Sequence, residues 1–209
     1  MPKLVDHEAR RREIVESVWQ LIARRGISGV TMRELAAEAG YANGALAPYF
    51  RGKEEILLAA FQHVFAATNE RARASTGDAR GLDALRALCM EIMPLDDVRL
   101  LEARVVLAFW DRAAVDAVFA EVYRSRTEEW RGQVLAMLAE ARRAGQVVTD
   151  IPDERAADAL LTLLLGLQVH ATFLPERTAP DQQRAILDDV LSGLGLHASA
   201  VRDERLPTP

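Results

Sequence analysis

A short stretch near the N-terminus, residues 41–55, carries side chains that could contact phosphate groups on a partner. Gly44 and Ala45 lack bulk, so the backbone there can approach a partner closely. Tyr49 supplies a phenolic hydroxyl and Lys53 an ammonium group, and both are donors of the kind that bind phosphate oxygens. The stretch therefore predicts a contact surface for a phosphate-bearing ligand.

The same stretch is a poor helix by composition, so neighbouring elements must hold it in place. We expect a short helix over residues 43–50, capped by Asn43, with Leu46 and Phe50 as apolar anchors four residues apart. Pro48 has no backbone N–H and costs about 3 kcal/mol in a helix interior, so it predicts a kinked end to this helix. Packing against the preceding helices, more than intrinsic propensity, is expected to stabilise the element.

Two predicted helices precede this stretch. Residues 6–25 carry an apolar stripe of helical period that ends at Gly26. Thr31 and Glu34 have the spacing of a capping box, which begins a second, short helix ending near Gly40 and leaves backbone N–H groups for an anion. Two short helices joined by a tight turn form a helix-turn-helix, whose second helix enters the major groove of DNA.

Charge and composition do not by themselves indicate nucleic-acid binding. The chain of 209 residues carries a net charge of −5, and half of its residues are hydrophobic. Its first 60 residues carry 9 Lys and Arg against 8 Asp and Glu, which is +1, so the remainder carries −6. The basic cluster at residues 10–12 is interpreted as a solvated face. The acidity therefore belongs to the C-terminal part.

The single cysteine, Cys89, excludes an internal disulfide and suits a reducing cytoplasm, where we expect the protein to reside. Its apolar neighbours predict a buried structural thiol. No apolar run reaches the roughly 18 residues of a membrane span, because Asp158, Thr162 and Gln168 interrupt residues 156–169. We therefore expect no contact with a membrane.

A longer pattern surrounds the helix-turn-helix and covers residues 11–65. Its positions are Ile14, Val15, Gly26, Thr31-Met32-Arg33-Glu34-Leu35-Ala36, Ala39-Gly40, Gly44, Leu46, Tyr49-Phe50, Lys53-Glu54-Glu55 and Leu57. In this pattern the chain resembles the DNA-binding domain of the TetR family of bacterial transcriptional repressors. The resemblance implies double-stranded operator DNA as a partner. The residues that we assign to DNA binding are Thr31, Arg33, Asn43, Gly44, Ala45, Tyr49 and Lys53.

The sequence departs from the family pattern at three positions of the second helix of the motif. Ala42 stands where many members have a capping Ser or Thr, and Ala47 stands where many have an aromatic residue. Pro48 removes the N–H that would bond to the carbonyl of Gly44. These departures affect the detailed base contacts and not the presence of the domain.

The resemblance implies an all-α fold with about nine helices in two parts. A three-helix DNA-binding domain with the helix-turn-helix is expected over residues 8–68. A helical ligand-binding and dimerisation domain is expected over residues 69–195, followed by a flexible tail over residues 196–209.

The C-terminal part is similar to the subgroup that contains the repressor of choline and glycine-betaine genes, with residues 107–110 and Gly166-Leu167 as matching segments. This resemblance implies an unknown small-molecule effector in a helical pocket. For each aromatic or methionine taken alone, core packing is the alternative. His170 could be a buried core histidine, and Arg104 could reach solvent, pair with Glu102 or meet a ligand carboxylate. The candidate pocket residues are Phe61, Phe65, Met90, Met93, Arg104, Phe109, Trp110, Trp130, Met137, His170 and Phe173.

The last two predicted helices are apolar on more than one face, so one face can close the core while another meets a partner. Two such helices from each of two chains would form a four-helix interface with a two-fold axis. We therefore expect a homodimer. The predicted interface residues are Leu160, Leu163, Leu164, Leu167, Leu187, Val190, Leu191 and Leu194.

No motif in the sequence has the spacing of a catalytic or metal site. The four histidines lack the i, i+4 pairing of helical zinc sites, and GxSxG, P-loop and GxGxxG motifs are absent. We expect no catalytic residues, no metal and no cofactor, and we predict a ligand-responsive repressor. The alternatives are an all-helical enzyme or small-molecule-binding protein without a DNA-binding role, and an architectural DNA-binding protein. The long C-terminal part argues against the architectural protein.

Overall fold

The computed structural model describes residues 6–196, and within this range every regular element is a helix. The prediction of an all-α fold is confirmed. One of the nine expected helices does not form, because residues 43–49 fold as turns. The elements are α1 (His7–Arg25), α2 (Met32–Glu38), α3 (Lys53–Thr76), α4 (Gly81–Ile92), α5 (Asp97–Ala113), α6 (Ala117–Arg143), α7 (Asp153–Phe173), a 3₁₀ turn (Pro175–Arg177) and α8 (Pro180–Gly193).

A first hydrophobic cluster, here called the N-terminal core, gathers the buried faces of α1, α2 and the first half of α3. The second half of α5 closes the cluster from the other side, through Val105, Val106 and Phe109. The part that we expect to bind DNA therefore does not have a core of its own. The other large members of the N-terminal core are Ile14, Val18, Ile22, Leu35, Leu46, Phe50, Ile56, Leu57 and Phe61.

A second cluster, the C-terminal core, is built from α4, α6, α7, α8 and the second half of α3. Phe65 and Ala72 on α3 belong to this cluster, whereas Phe61, one turn earlier, belongs to the N-terminal core. The expected boundary at residues 68 and 69 falls inside α3, so the two parts share this helix. The division into domains stays a prediction.

By length and composition alone, α7 is apolar enough to span a membrane, with a mean hydropathy of 1.4. Core helices meet the same criterion. Leu160, Leu164 and Leu167 on α7 are buried in the C-terminal core, as expected of a core helix. The absence of a membrane partner stays a prediction.

Leu196, which we assigned to the flexible tail, is only 3% exposed and forms an antiparallel bridge with Val147. The backbone N–H of Val148 also donates to the carbonyl of Gly195 at 3.2 Å. The packed chain therefore extends to Leu196, which corrects the start of the tail. The rest of the predicted tail lies outside the described residues.

Candidate nucleic-acid interface and internal cavity

The recognition segment, defined as residues 43–50, is a series of turns and not the kinked helix that we predicted. Gly44 has φ of +84°, a conformation that favours glycine, and this residue interrupts helical geometry at the start. Pro48 has no N–H to offer the carbonyl of Gly44, which accepts from Ala47 at 3.1 Å instead. Tyr49 likewise donates to Leu46 at 2.9 Å. Since no regular helix begins there, the capping role predicted for Asn43 does not hold.

Two buried side chains and one arginine hold the recognition segment in place. Leu46 and Phe50 are each 1% exposed, which confirms them as the apolar anchors. The Arg11 guanidinium lies 4.3 Å from the centroid of the Phe50 ring, and its Nη1 donates to the carbonyl of Tyr49. The Tyr49 ring lies beside the His7 ring, with centroids 5.2 Å apart. Sequence reasoning missed Arg11, because the basic cluster at residues 10–12 was interpreted as a solvated face.

The capping box at the start of α2 is confirmed. The Glu34 backbone N–H donates to Thr31 Oγ1 at 3.2 Å, and the Thr31 N–H donates to the Glu34 carboxylate at 2.8 Å. A hydrogen bond from Arg25, together with those from Thr31, lowers the pKa of Glu34 to about 2. This ionised carboxylate lies at the helix start where we expected an anion. A phosphate contact at Thr31 stays a prediction.

Lys53 has a positioning role that the sequence did not reveal. Its ammonium donates to the carbonyls of Ile27 at 3.0 Å and Val30 at 2.9 Å, so it ties the start of α3 to the loop between α1 and α2. An ammonium has three donors, so one remains for a phosphate. The DNA contact predicted for Lys53 therefore stays a prediction beside this structural role.

The seven residues assigned to DNA binding are all at least partly accessible. Thr31, Arg33, Asn43 and Gly44 are exposed, and the other three are half-buried. Such accessibility is required of residues that touch DNA, and it leaves their individual contacts as predictions.

A small cavity of about 20 Å³, here called the seam cavity, lies between the two cores. Four helices enclose it, and the α6 residues occupy positions i, i+3, i+4 and i+7 of one helical face. Phe61 and Val106 come from the N-terminal core, whereas Phe65, Trp130 and Leu161 come from the C-terminal core. The lining residues are Phe61, Phe65, Val106, Tyr123, Arg126, Thr127, Trp130, Leu161 and Leu165.

The aromatic wall of the seam cavity is held from behind by a chain of hydrogen bonds. Phe65 and Trp130 stack with ring centroids 4.7 Å apart. Trp130 Nε1 donates to Asn69 Oδ1 at 2.9 Å, and Asn69 Nδ2 donates to Glu129 at 3.3 Å. The indole N–H is therefore satisfied, which fixes the orientation of the ring.

An open groove of about 550 Å³ adjoins the seam cavity where α5 ends and α6 begins. Tyr123 and Thr127 line both spaces and so separate them. Trp110 lines the groove and meets Tyr123 edge to face at 6.0 Å, and its buried indole Nε1 has no hydrogen-bond partner among the described residues. The other lining residues are Ala113, Ala114, Ala120, Arg124 and Glu128.

The predicted pocket residues divide into three groups. Phe61, Phe65 and Trp130 line the seam cavity, and Trp110 lines the groove. A second group lines neither space: Phe109 is fully buried and stacks on Phe61 at 3.8 Å, Met93 is fully buried in the C-terminal core, and Met90 and Met137 pack against that core.

Three predicted pocket residues lie away from the cavity. Phe173 is 67% exposed and His170 is also exposed, because both fall off the buried stripe of α7. Arg104 is half-buried, and the carboxylate of Glu102 pairs with Arg71 at 2.6 Å and not with Arg104. Burial raises the pKa of Glu102, while its hydrogen bonds with Arg71 oppose the rise.

The predicted dimer residues are also only partly available to a second chain. Leu160, Leu164, Leu167, Leu187 and Leu191 are buried in the C-terminal core of the single chain. Their place in a dimer interface stays a prediction. Leu163, Val190 and Leu194 are partly accessible and remain candidates.

An ion pair that sequence reasoning missed links the end of α5 to the start of α3. Arg112 Nε lies 3.3 Å from a carboxylate oxygen of Glu54, without the alignment of a hydrogen bond, and Arg112 also pairs with Asp116 at 3.4 Å. Glu54 follows Lys53, which holds the loop before α2. The pair therefore connects the groove end of α5 to the DNA-binding part.

Within residues 6–196, no three His, Cys, Asp or Glu side chains are grouped so as to hold a metal ion. Cys89 is fully buried, and desolvation raises the pKa of its thiol to about 12.

Comparisons with known proteins agree on the kind of protein. Residues 14–60 match the family model of bacterial regulatory proteins of the tetR family, and residues 81–196 match that of the BetI-type transcriptional repressor C-terminal domain. The chain is 29% identical over 194 residues to the HTH-type transcriptional regulator PksA of Bacillus subtilis, covering 92% of this chain and 93% of PksA. It is 28% identical over 171 residues to the HTH-type transcriptional regulator BetI of Burkholderia ambifaria, covering 80% of this chain and 84% of BetI.

A solved structure shares the fold. The crystal structure of a transcriptional regulator from Saccharomonospora viridis in complex with choline has a TM-score of 0.81 and 24% identity, covering 88% of this chain and 96% of that one.

Proposed function

Because this chain belongs to the TetR family of bacterial transcriptional regulators, we propose that it is a repressor that a small molecule releases from its operator. The named relatives PksA and BetI are transcriptional regulators, which excludes the alternative of an enzyme without a DNA-binding role. The resemblance found in the sequence is confirmed, including its BetI-like subgroup.

The observation that carries the mechanism is the position of the seam cavity between the two cores. Its walls include Phe61 and Phe65 on α3 and Val106 on α5, and both helices also pack in the core of the DNA-binding part. A molecule that enlarges this cavity by displacing α3 or α5 would move that helix against the N-terminal core. The recognition segment would move with it.

Two contacts would transmit such a movement to the DNA-binding surface. The Arg112–Glu54 pair joins α5 to the start of α3, and Lys53 joins that start to the loop before α2. Effector binding needs to favour the displaced arrangement by only about 1–3 kcal/mol to weaken operator binding about 5–150-fold.

We further propose that the protein acts as a homodimer in the cytoplasm, with one recognition segment for each operator half-site. Leu163 on α7, Val190 on α8 and Leu194 after it are partly accessible apolar residues, and Phe173 is an exposed aromatic at the end of α7. These side chains support an interface on the outer faces of the two helices. The choline complex of the S. viridis regulator makes a small organic cation one candidate effector.

The function is tested by selecting operator sequences from a random pool of duplexes with the purified protein. A selected palindromic sequence, bound in a gel shift and released by one of a panel of small molecules, is the expected result. Failure to enrich any sequence would overturn the proposed function, and enrichment without release by any molecule would overturn its effector response.

A further inference from the structure

The exposed surface of the recognition segment, together with the residue before it, has little hydrogen-bonding chemistry. No residue from 42 to 48 carries a charge, and one side chain in this stretch, that of Asn43, has hydrogen-bond donors and an acceptor. The other exposed residues of the stretch are Ala42, Gly44, Ala47 and Pro48. A partner therefore meets a single amide group in an otherwise apolar surface.

Asn43 stands at the corner of a tight turn. The N–H of Ala45 donates to the carbonyl of Ala42 at 3.0 Å, which closes the turn. Gly44 has φ of +84°, so the chain reverses directly after Asn43. Because no regular helix begins at Asn43, its amide is not engaged as a helix cap. The side chain is therefore exposed at a corner, with its amide available to a partner.

The corner is positioned by the residues that follow it. Leu46, three residues after Asn43, is buried in the N-terminal core together with Phe50. Arg11 donates to the carbonyl of Tyr49 and so holds the end of the same segment. A side chain that forms two hydrogen bonds to one partner needs such support, because a small displacement breaks one of the two bonds.

We propose that the recognition segment reads an adenine through Asn43 and the methyl groups of neighbouring thymines through Ala47 and Pro48. Each operator half-site then carries A·T pairs where this segment enters the major groove. The inference rests on the proposed function, in which the segment contacts operator DNA, and it specifies the base pairs that are recognised.

The two kinds of side chain match the two bases of an A·T pair. An asparagine amide donates from Nδ2 to adenine N7 and accepts at Oδ1 from the adenine N6 amino group, a pair of bonds that no other base offers in the major groove. Thymine presents a C5-methyl group there, and small apolar side chains contact it. Ala47 and Pro48 are exposed, four and five residues after Asn43. The segment therefore has partners for both bases.

The competing interpretation is that arginines outside the segment carry the sequence preference by reading guanine, the commonest specific contact in the major groove. Arg33 is exposed on α2, and the Arg51 side chain is 93% exposed just after the segment. Under this interpretation the preferred base pairs would be G·C, and removing the Asn43 amide would change no base preference. The two interpretations therefore differ in the selected sequence and in its response to one substitution.

The first experiment compares the duplexes that the wild type and Asn43→Ala select from a random pool. The wild type should select an adenine at one position of each half-site, and Asn43→Ala should lose that preference and keep the others. Tyr49→Phe is the matched control, since Tyr49 lies in the same segment and its predicted contact is to phosphate. This control should bind all sequences more weakly and still select the adenine. A selected sequence without that adenine, or the same adenine preference in Asn43→Ala, would overturn the proposal.

The second experiment changes single atoms of the DNA and is decisive with the wild-type protein alone. Replacing the selected adenine by 7-deazaadenine removes the N7 acceptor and should weaken binding about fivefold or more. Replacing a neighbouring thymine by deoxyuridine removes one methyl group and should weaken binding about fourfold. Asn43→Ala should be insensitive to the deaza base, and Ala47→Ser should respond less to deoxyuridine. Equal wild-type affinity for the normal and the modified duplexes would refute the assigned contacts.

The outcomes separate this inference from the proposed function. Because Asn43 is exposed, Asn43→Ala should unfold at the same temperature as the wild type, so a change in base preference is not a folding defect. A protein that selects a palindrome without the adenine contact keeps the proposed function and overturns this inference alone. A protein that selects no sequence overturns the proposed function, and this inference with it.

Discussion

Arg11 should determine whether the recognition segment is positioned for DNA, because this segment lacks the hydrogen bonds of a regular helix. Arg11→Met keeps the apolar stem and removes both the hydrogen bond to the Tyr49 carbonyl and the cation over the Phe50 ring. A hydrogen bond from a charged group contributes about 1.5–3 kcal/mol, and a partly exposed cation–π contact about 0.5–1 kcal/mol. Since Arg11 is half-buried, we expect about 2 kcal/mol, which is roughly a 30-fold loss of operator affinity.

The assay is fluorescence anisotropy on a selected operator duplex at several salt concentrations. The structure places Arg11 inside the protein's own contacts, so its loss should lower affinity without changing the slope of affinity against salt. A residue that contacts phosphate would instead reduce that slope by about 0.9. Hydrogen exchange at the amides of Ala47 and Tyr49 should accelerate in the same variant, because their turn is no longer held.

Arg12→Met is the control, since Arg12 is exposed on the same helix and has the same charge. Arg11→Met should lower operator affinity and accelerate hydrogen exchange clearly more than Arg12→Met does. If the two variants behave alike, or if Arg11→Met changes the salt slope and leaves the amides protected, then Arg11 acts as a surface charge and the positioning argument is wrong.

Three further predictions concern other parts of the chain. Arg112→Gln should change operator affinity in the absence of effector by less than about threefold, since a surface ion pair contributes up to about 1 kcal/mol. The same variant should lose less operator affinity than the wild type when effector is added. An unchanged response to effector would exclude this pair from the coupling. Leu191→Glu should lower the free energy of unfolding by about 2–5 kcal/mol, because Leu191 is a core residue. Val190→Glu should leave the free energy of unfolding nearly unchanged and give monomers in light scattering, because Val190 is partly accessible. A stable Leu191→Glu monomer would show that the interface lies where the sequence suggested. Cys89 should resist a thiol reagent at neutral pH until the protein unfolds, because its thiol is buried with its pKa raised to about 12, and rapid labelling of the native protein would contradict that burial.

Local patterns predicted the features that depend on neighbouring residues. The capping box of Thr31 and Glu34 and the anchors Leu46 and Phe50 each follow from spacings of three or four residues, and the structure contains both. The failure of the recognition helix also has local causes, because the positive φ of Gly44 adds to the backbone N–H that Pro48 lacks.

Features that depend on distant residues were not predictable in this way. Arg11 reaches the carbonyl of Tyr49, 38 residues later, and such a contact leaves no periodic signal in the sequence. The leucines of α7 illustrate a second limit. An apolar stripe predicts burial, but it does not tell whether the chain's own core or a second chain covers it, and Leu160 and Leu164 proved to be core residues.

The aromatic residues show a third limit of the same kind. Phe65 and Trp130 were recognised as pocket candidates among many aromatics, whereas Arg126, which lies against Phe65, was not. Its position in the cavity becomes visible only when α3 and α6 are packed together. Charged residues on a helix are usually solvated, so the sequence offered no reason to select it.

The central claim, that the seam cavity and the DNA-binding surface are coupled, is tested most directly by measuring by calorimetry, twice, the affinity of the small molecule that releases the operator in the gel shift. One titration uses the free protein and the other uses the protein saturated with its selected operator. Coupling is reciprocal, so this effector should bind the operator complex about 5–150-fold more weakly, by the same factor by which it weakens operator binding. Equal effector affinities for the free and the operator-bound protein would contradict the account.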